Sequence, residues 1–463
     1  MYAKFTDEQL TACSVRMKND WNARAEEDAK WFINTVSRNQ SEAEFFESGR
    51  REINEWWLPD FQDTLQGRTL SELKVFEFGC GIGRMTNHLA EHFGEIWAAD
   101  VSGEMIAQGR ERFAHLPHIH WVEIDGVELN NIPDNYFDLI FSLYVFQHVP
   151  SKEAVAQAIT SAYRKLKPGG FLKVHTNGLA LQDYDAVEKD TWQGTTFSEQ
   201  EVRQLVIGLG GQLISVFGGT TPYCWSTIKK PELIAPSASG EPAIPAIMAA
   251  GWAEDLSVAE IPVSGDKATL ALLVTGLDQA TVDCNSVRVV IAGQSCLPRY
   301  VGRMRRHQVA YVQGHLRVPV PQLTYLEVSI PADVAAGTVS VRLTVAAQPF
   351  PAELAVRLTD GSAKRPKIVT ARNAVDFGMD IYAQGEKSRL HLHVYGLDET
   401  ADAGNVRVRL NELELVPDFA GFVMQDGNWQ VHAALPATAE PGPYELKLVF
   451  KSVESEAVPI LLR

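Results

Sequence analysis

The chain has 463 residues, of which 45% are hydrophobic and 22% charged, and its formal net charge is −16. This length predicts two to four domains, and the composition is that of a soluble globular protein. The acidic balance argues against nucleic acid or anionic lipid as a partner, because both require a basic surface. No apolar run approaches the roughly 20 residues that a membrane helix needs.

The N-terminal sequence MYAKFTDEQL lacks the basic and apolar segments of a signal peptide, and the cysteines are few. Cys13, Cys80, Cys224, Cys284 and Cys296 form neither a disulfide framework nor a CxxC metal motif. We therefore expect a reduced, cytoplasmic protein, and no cluster of His, Cys and Asp in the sequence predicts a metal.

The first half of the chain predicts helices followed by alternating strands and helices. Residues 1–70 are helical in pattern and rich in Trp and Phe, which predicts an N-terminal helical cap or lid. In residues 71–230 the alternation predicts a parallel α/β sheet with right-handed crossovers. The predicted strands are KVFEF (74–78), EIWAAD (95–100), IHWVEID (119–125), FDLIFSLY (137–144), GFLKVHT (170–176), QLISVFGG (212–219) and YCWSTIK (223–229).

Local signals refine this half of the chain. The motif KPGG (167–170) predicts a turn before the fifth strand. Ser198 and Glu201 have the spacing of a capping box, which predicts the start of a helix.

The second half changes character and repeats. Residues 231–243 are rich in Pro, Ala and Ser, which predicts a linker. Beyond it, LLVTGLD (272–278) returns as LHVYGLD (392–398), and SVRVVI (286–291) returns as NVRVRL (405–410). The offset of about 120 residues indicates a duplication into two all-β sandwich domains, at 244–360 and 364–463. The GLD turn and the strand after it resemble bacterial immunoglobulin-like modules of the IPT/TIG kind.

A glycine-rich turn follows the first predicted strand. Residues 75–86 read VFEFGCGIGRMT, with Gly79, Gly81 and Gly83 in alternate positions. A phosphate-binding Walker loop would need GK[ST], and a dinucleotide fingerprint would place the third glycine one residue later. S-adenosylmethionine is the third candidate, because its adenosine and thioether allow close backbone approach without a pyrophosphate. A tight turn that binds no ligand also fits the glycines alone.

Two downstream carboxylates favour the methyl donor. Asp100 ends the second predicted strand, where a carboxylate can accept hydrogen bonds from both ribose hydroxyls, and Asp125 ends the third, placed toward the adenine amino group. With these residues the turn Glu77–Gly83 resembles the first motif of class I methyltransferases. The segments DVSGEMI (100–106), FDLIFSLYVFQHV (137–149) and LKPGGFLKVHTNG (166–178) resemble later motifs of the same family, in order and with normal spacing.

This resemblance covers about residues 70–180 and implies a Rossmann-like fold that binds S-adenosylmethionine and releases S-adenosylhomocysteine. It implies that Glu77 reaches the methionine amino group, and that Ser142 and Leu143 offer backbone oxygens to it. Arg84 either meets the methionine carboxylate or is a solvated charge at a helix start. The remaining cofactor residues that the resemblance implies are Gly79, Cys80, Gly81, Gly83, Asp100, Val101, Met105, Asp125 and Gly126.

Polar side chains after the fourth and fifth strands are candidates for catalysis and substrate binding. The unperturbed pKa of a histidine side chain suits a general base, so His148 is the candidate base, and the alternative is that it closes the turn over the cofactor. The candidate substrate-binding residues are Trp31, Tyr144, Gln147, His175 and Asn177. The aromatic residues of the N-terminal segment could form a lid that excludes water, or plain core.

The acceptor is left open by the sequence. The segment DWNARAEEDAKWFINT (20–35) and others through residue 231 resemble a group of bacterial methyltransferases, and this resemblance implies no acceptor. We expect methyl transfer to an O or N atom of a small, partly apolar or aromatic metabolite, with the sandwich domains mediating a homodimer. The alternatives are a glycan or other large acceptor held by the sandwich domains, and a non-catalytic interaction scaffold.

Overall fold

The computed structural model describes residues 6–35, 38–179, 191–219, 221–232, 246–253, 261–263, 268–305, 308–309, 323–359, 366–375, 380–385, 388–395, 397, 401–423, 428–450 and 453–463. Most of the predicted linker 231–243 lies outside these residues. The chain divides into two compact units. The first consists of 1–259, 270–329 and 339–356, and the second of 260–269, 330–338 and 357–463.

The N-terminal segment is helical, as predicted. Thr6 and Ser41 each start a helix with a reciprocal capping box. The helices are α1 (Asp7–Ile33), α2 (Glu42–Glu52) and α3 (Leu58–Thr64), with a π-helical turn at Ile53–Trp57 between the last two. Helical geometry is interrupted within α1 at Asp28, whose side chain accepts the backbone N–H of Trp31.

The middle of the chain forms the predicted α/β sheet. The strands are β1 (Lys74–Phe78), β2 (Glu95–Asp100), β3 (Ile119–Glu123), β4 (Phe137–Ser142), β5 (Leu166–Thr176), β6 (Gln212–Phe217) and β7 (Cys224–Lys229). The helices are α4 (Thr86–Leu89), α5 (Gly103–Arg112), α6 (Lys152–Lys165) and α7 (Glu199–Leu209). The order is β3-β2-β1-β4-β5-β7-β6, with β1 to β5 parallel and β7 antiparallel to both neighbours. The chain order reverses beside β1, which is where open α/β sheets bind ligands.

Two local expectations meet different outcomes. The capping box predicted at Ser198 and Glu201 is present and starts α7. The turn predicted at KPGG does not precede the fifth strand, because β5 begins at Leu166 and includes these residues. Gly169 has a positive φ of 79°, and the pairing with β4 moves from Leu166 opposite Phe137 to Phe171 opposite Leu139, so the strand is irregular at these residues.

The sheet does not end at the predicted domain boundary. After β6 it continues through four strands of the next chain segment, in the order β13-β14-β10-β8. The strands of this segment are β8 (Ala246–Trp252), β9 (Ile261–Pro262), β10 (Thr269–Thr275), β11 (Val287–Ile291), β12 (Gln294–Cys296), β13 (Tyr300–Gly302), β14 (Thr324–Ser329), β15 (Gly337–Val345) and β16 (Gln348–Thr359). The compact units therefore do not divide at the linker, because backbone pairing joins Ser215 of β6 to Tyr300 of β13.

Buried polar contacts reinforce this junction. The guanidinium of Arg203 on α7 donates to the carbonyl oxygens of Cys284 and Pro298, each at 2.9 Å. The Asp283 carboxylate accepts the backbone N–H of Leu213 at 3.0 Å. Buried polar groups of this kind are normally paired, and here each partner lies across the junction.

The second unit contains two sheets around one apolar core. Its later strands are β17 (Lys367–Asn373), β18 (Arg389–Tyr395), β19 (Val406–Leu410), β20 (Leu413–Leu415), β21 (Phe419–Val423), β22 (Asn428–Ala434), β23 (Gly442–Phe450), β24 (Val453–Glu454) and β25 (Val458–Leu462). One sheet has the order β17-β18-β22-β21, and the other has β20-β19-β23-β24 with β25 paired to β23. Leu392 and Val431 of the first sheet belong to the same core as Val408 and Leu448 of the second. Among the described helices, none is both long and apolar enough to cross a bilayer.

Candidate functional site

The glycine turn requires its glycines for backbone reasons. Gly79, Gly81 and Gly83 all have positive φ, at 84°, 55° and 89°. A Cβ on Gly79 would lie 2.3 Å from Val145, and one on Gly81 would lie 2.6 Å from Ile33 of α1. Larger residues would therefore be strained and would clash at both positions. The turn brings its backbone against α1 and against the segment that follows β4.

Two carboxylates flank this turn at the ends of adjacent strands. Asp100 is 9% exposed, and its two oxygens accept the backbone N–H groups of Gly81 and Ser102, each at 2.9 Å. Glu77 is 2% exposed, and its Oε2 accepts the hydroxyl of Thr86 at 2.6 Å. Glu77 Oε1 is buried, and no hydrogen-bond partner for it lies among the described residues. Burial raises the pKa of Glu77 to about 8.

Arg84 is buried beside the same turn. Its Nη2 lies 2.7 Å from the Glu52 carboxylate, and Nη1 donates to the Ser48 hydroxyl at 3.4 Å. The expectation of a solvated charge is wrong, because the residue is only 7% exposed and is tied to α2. Arg84 Nε is a buried donor for which the described part of the chain offers no acceptor. Its contact with a cofactor carboxylate stays a prediction.

The ends of β2 and β3 meet beneath α1. A Cβ on Gly126 would lie 3.5 Å from Val101, so these two residues are neighbours. Asp125 Oδ1 accepts the backbone N–H groups of residues 127–129 and so fixes its own loop. Met105 is 1% exposed and packs in a cluster with Ala25 and Ala29 of α1. The roles of these residues toward an adenine stay predictions.

Helix α1 covers this region through polar contacts. Asn22 Oδ1 accepts the Ser102 hydroxyl at 2.7 Å and the Glu104 backbone N–H at 3.2 Å. The Ser14 hydroxyl donates to the backbone oxygen of Asp125, and Lys18 pairs with Glu123. The helix therefore contacts the carboxyl ends of β2 and β3 directly, which the sequence did not reveal.

Three further predicted cofactor residues are buried. Ser142 donates its hydroxyl to the backbone oxygen of Phe78, and Leu143 packs in the core beside α3. Cys80 is 4% exposed, and burial raises the pKa of its thiol well above the usual value. A protonated, buried thiol is a poor nucleophile, which agrees with a packing role in the turn.

His148 lies in an aromatic cluster with residues that the sequence analysis did not select. Its Nδ1 donates to the backbone oxygen of Trp192 at 2.5 Å, because a carbonyl can only accept. Its Nε2 therefore carries the lone pair, and it lies 3.1 Å from the side-chain nitrogen of Gln147. Trp192 stacks on the imidazole at 5.3 Å, and Trp21 meets it edge-on at 5.4 Å.

The predicted substrate residue Trp31 does not join this cluster. Its ring lies beneath Arg38, at 5.1 Å, whereas Trp21 and Phe32 of the same helix contact Trp192. Arg24 lies 4.8 Å from the Trp21 ring and 5.6 Å from the Trp192 ring, and it donates to Thr191. The orientation of α1 decides which of its aromatic side chains reach His148, and the sequence alone does not show that orientation.

A second aromatic cluster surrounds His175, which is fully buried. Its Nε2 donates to the backbone oxygen of Pro222 at 3.1 Å, and the rings of Tyr144 and Trp225 lie 5.2 and 4.4 Å away. Nδ1 is buried, and the described residues supply it with no partner. Burial lowers the pKa of His175 to about 3, so the ring is neutral at physiological pH. Asn177 differs, because its side-chain oxygen accepts the backbone N–H of Leu179 in its own loop.

Comparison with known proteins assigns the first unit's α/β sheet. The family model described as Methyltransferase domain matches residues 76–174. This range runs from β1 through the glycine turn to β5, and so includes Glu77, Asp100 and His148. Residues 76–174 form a class I methyltransferase domain. S-adenosylmethionine is its cofactor.

Two curated relatives each match about a quarter of the chain. The ubiquinone/menaquinone biosynthesis C-methyltransferase UbiE of Neisseria meningitidis serogroup C is 33% identical over 104 residues, which are 22% of this chain and 41% of that protein. The protein of the same name from Pseudomonas fluorescens is 32% identical over 124 residues, covering 24% and 47%. The chain thus spans less than half the length of these relatives.

Solved structures give weaker likenesses. A TehB-like methyltransferase from Corynebacterium glutamicum is 18% identical with a TM-score of 0.32, over 45% of this chain and 98% of that chain. The Haemonchus contortus phosphoethanolamine N-methyltransferase 1, in complex with phosphoethanolamine and S-adenosylhomocysteine, is 17% identical with a TM-score of 0.33, over 51% and 52%. At these TM-scores the likenesses carry no argument about this chain's chemistry.

The residues of the methyltransferase domain fit this cofactor. Glu77 Oε1, which is buried and finds no partner in the described part of the chain, suits an ammonium donor. The Asp100 carboxylate retains lone pairs beyond the two backbone groups that it already accepts. The buried N–H group at Arg84 Nε can donate a hydrogen bond to a carboxylate. These groups match the amino-acid and ribose parts of S-adenosylmethionine in charge and hydrogen-bonding sense.

Proposed function

We propose that the protein is a methyltransferase that uses S-adenosylmethionine to methylate an O or N atom of a small, partly apolar or aromatic metabolite. The observation that carries the proposal is Glu77 Oε1, which is buried beside the glycine turn and has no hydrogen-bond partner among the described residues. An unsatisfied buried carboxylate oxygen is costly, and an ammonium ligand relieves that cost. When bound, the cofactor supplies an activated methyl group for in-line displacement.

The chain's own residues would align the acceptor and exclude water. Helix α1 covers the carboxyl ends of β2 and β3, and the Trp21, Trp192 and His148 rings close the region after β4. Alignment and exclusion of water are the main contributions a protein makes to such a displacement. The aromatic surroundings favour an acceptor that is itself partly apolar.

His148 is the proposed general base, and its tautomer defines the reacting atom. Because Nδ1 donates to Trp192, the proton from the acceptor would pass to Nε2. Gln147 lies within hydrogen-bonding distance of Nε2 and would have to release that nitrogen when the acceptor binds. His148→Ala should lower kcat at least about a hundredfold while leaving cofactor affinity unchanged. Unchanged turnover would show that the histidine only closes the turn.

Calorimetry with S-adenosylmethionine tests the cofactor site. Asp100→Asn should weaken binding at least about tenfold, since it removes the carboxylate next to the turn and leaves one acceptor oxygen. Asp134→Asn is the matched control, because that carboxylate is exposed and pairs with Lys165 away from the turn. Absence of binding by the unaltered protein would refute the proposal.

The β regions are assigned by the same proposal. We infer that the second unit is an immunoglobulin-like sandwich, supported by its two sheets around one core, and that the protein is a cytoplasmic homodimer through its β regions. Light scattering on the full chain tests the assembly, and a monomer at all concentrations would contradict it.

A further inference from the structure

The contacts of the His175 ring define which of its nitrogens is a donor and which is an acceptor. Its Nε2 carries the hydrogen, because this atom donates to the carbonyl of Pro222. Nδ1 is then a lone-pair acceptor, and it is buried without a partner among the described residues. Buried acceptors are normally satisfied, so an exception calls for an explanation such as a ligand.

The place of His175 in the sheet puts it beside the cofactor residues. Ser142 of β4 is opposite Val174 of β5, so His175 is one position beyond Ser142 at the carboxyl end of the sheet. Glu77 of β1 is opposite Phe141 of β4, which puts Glu77, Ser142 and His175 on three adjacent strands. Ligands of open α/β sheets bind along this edge.

Side chains link the ring cluster to the glycine turn. Arg84 of the turn pairs with Glu52, which accepts the indole N–H of Trp57 at 3.0 Å. Trp57 lies 4.8 Å from Trp225, and Trp225 lies 4.4 Å from His175. These contacts therefore connect the aromatic cluster around His175 to the glycine turn that fits the cofactor.

The rings around His175 restrict what can reach Nδ1. Tyr144, Tyr223 and Trp225 are each half-buried, and His175 beneath them is fully buried. Access therefore requires displacement of one of these rings. Tyr144 holds a φ of +61°, which is strained for a residue other than glycine, and such strain is concentrated at ligand sites.

We propose that His175 Nδ1 accepts a hydrogen bond from an O–H or N–H group of the methyl acceptor, distinct from the hydrogen that passes to His148, and so selects neutral hydroxyl- or amine-bearing aromatic compounds over anionic ones. This rests on the proposed function. A carboxylate or a fully ionised phosphate cannot donate to Nδ1, and the ring cannot offer it the Nε2 hydrogen, which is committed to Pro222. The low pKa keeps the ring uncharged, so it gives an anion no ion pair.

Three probes that share a naphthalene ring and differ in one substituent test the proposed preference for a neutral hydroxyl group, with the full chain as the protein. Binding of 2-naphthol, 2-methoxynaphthalene and 2-naphthoate is measured calorimetrically with S-adenosylhomocysteine present. We expect 2-naphthol to bind about tenfold tighter than its methyl ether, since only the hydroxyl can donate, and 2-naphthoate to bind weakest. Equal binding of the first two, preference for naphthoate, or binding of none would overturn the proposal.

Two variants separate the role of Nδ1 as a hydrogen-bond acceptor from the structural role of the His175 ring. His175→Gln keeps a donor for Pro222 but removes the acceptor at Nδ1, so the preference for 2-naphthol should fall to about twofold or less. His175→Asn places an oxygen on the branch that carries Nδ1 and loses the bond to Pro222, so the preference should persist although the protein melts lower. An unchanged preference in His175→Gln would overturn the proposal.

The same samples test the proposed methyltransferase function separately from the role of His175. Loss of S-adenosylhomocysteine binding by the unaltered protein contradicts the methyltransferase proposal. Normal binding of S-adenosylhomocysteine with no selection for the hydroxyl contradicts only the role of His175.

Discussion

The carboxyl group of Glu77 has an unusually high pKa. Its pKa is raised to about 8 because the carboxyl group is buried, and the Thr86 hydroxyl and Arg84 only partly offset this. Without a ligand the group is mostly protonated at pH 7, whereas contact with an ammonium requires the carboxylate. Cofactor binding should therefore expel this proton and bring the pKa down.

Proton release from Glu77 can be measured directly. At pH 7 the enthalpy of S-adenosylmethionine binding should depend on the ionisation enthalpy of the buffer, with close to one proton released per site. Affinity should rise as pH increases toward 8. In Glu77→Gln, which has no proton to release, the buffer dependence should fall to that of the ligand's own amine. Identical buffer dependence in both proteins would refute the role of Glu77.

Gly49 sets the distance between α2 and the glycine turn. A Cβ at this position would lie 2.1 Å from the backbone oxygen of Arg84, which cannot move without distorting the turn. Gly49→Ala should therefore destabilise the protein by about 1–3 kcal/mol and weaken cofactor binding. Gly208 of α7 has open space around it, so Gly208→Ala should stabilise by a few tenths of a kcal/mol. Chemical unfolding and calorimetry compare the two, and equal effects would contradict the close approach.

At the scale of elements, the second unit holds a chain of three imidazoles on paired strands. His391 of β18 lies opposite His432 of β22, with Nδ1 and Nε2 at 2.7 Å, and its own Nε2 lies 2.9 Å from Nε2 of His393. Because His391 uses both nitrogens, each contact requires a lone pair on one side and a hydrogen on the other. The neutral rings satisfy this, and full protonation does not.

This arrangement predicts a pH-dependent stability of the second unit. Burial lowers the pKa of His391 to about 3, and it also lowers those of His393 and His432. Arg372 and Arg389 add to the lowering, while Asp418 opposes it at His432. Since the folded-state values lie below the unfolded value of 6.5, the stabilisation is complete above pH 6.5 and is lost as pH falls below it.

Hydrogen exchange of β18 and β22 measures this effect. Their protection factors, corrected for the intrinsic rates, should drop between pH 7 and pH 5. His391→Gln should flatten this dependence, whereas His120→Gln, at a largely exposed site in the first unit, should leave it unchanged. Protection that stays constant with pH in the unaltered protein would contradict the coupling.

At the scale of the whole molecule, the first unit joins the methyltransferase sheet to the strands after the linker. Strand β6 would be an unpaired edge without β13, and Arg203 would lose both carbonyl acceptors. A chain cut after residue 230 should therefore aggregate or melt lower than the full chain, because exposed strand edges and buried donors that lose their acceptors are both costly. A soluble, fully active fragment would show that these strands are dispensable.

Arg203 tests the same junction without truncation. Arg203→Ala leaves the carbonyls of Cys284 and Pro298 without their donor, so the free energy of unfolding should fall by about 2–4 kcal/mol. Arg164 is an exposed arginine on α6 that contacts Ser161, and Arg164→Ala should change stability by less than about 0.5 kcal/mol. Equal effects would contradict a stabilising junction.

The sequence by itself determined the local features. Strands β1, β2 and β4, the cap of α7 and the parallel sheet all follow from apolar runs, turn residues and capping residues that act over a few positions. The glycine turn could also be identified, because the positive φ and the close contacts at Gly79, Gly81 and Gly83 strongly favour glycine. Its family match over residues 76–174 agrees with the motif reading.

The tertiary structure decided which distant residues meet. The burial of Arg84 depends on α2, and the choice of Trp21 rather than Trp31 beside His148 depends on how α1 lies over the sheet. The junction at β6 and β13 joins segments that the sequence separates by a linker. Spacing along the chain encodes periodicity and turns, whereas burial and side-chain pairing arise only when separate elements pack. It is the fold that buries Glu77 Oε1 and His175 Nδ1 without a hydrogen-bond partner among the described residues.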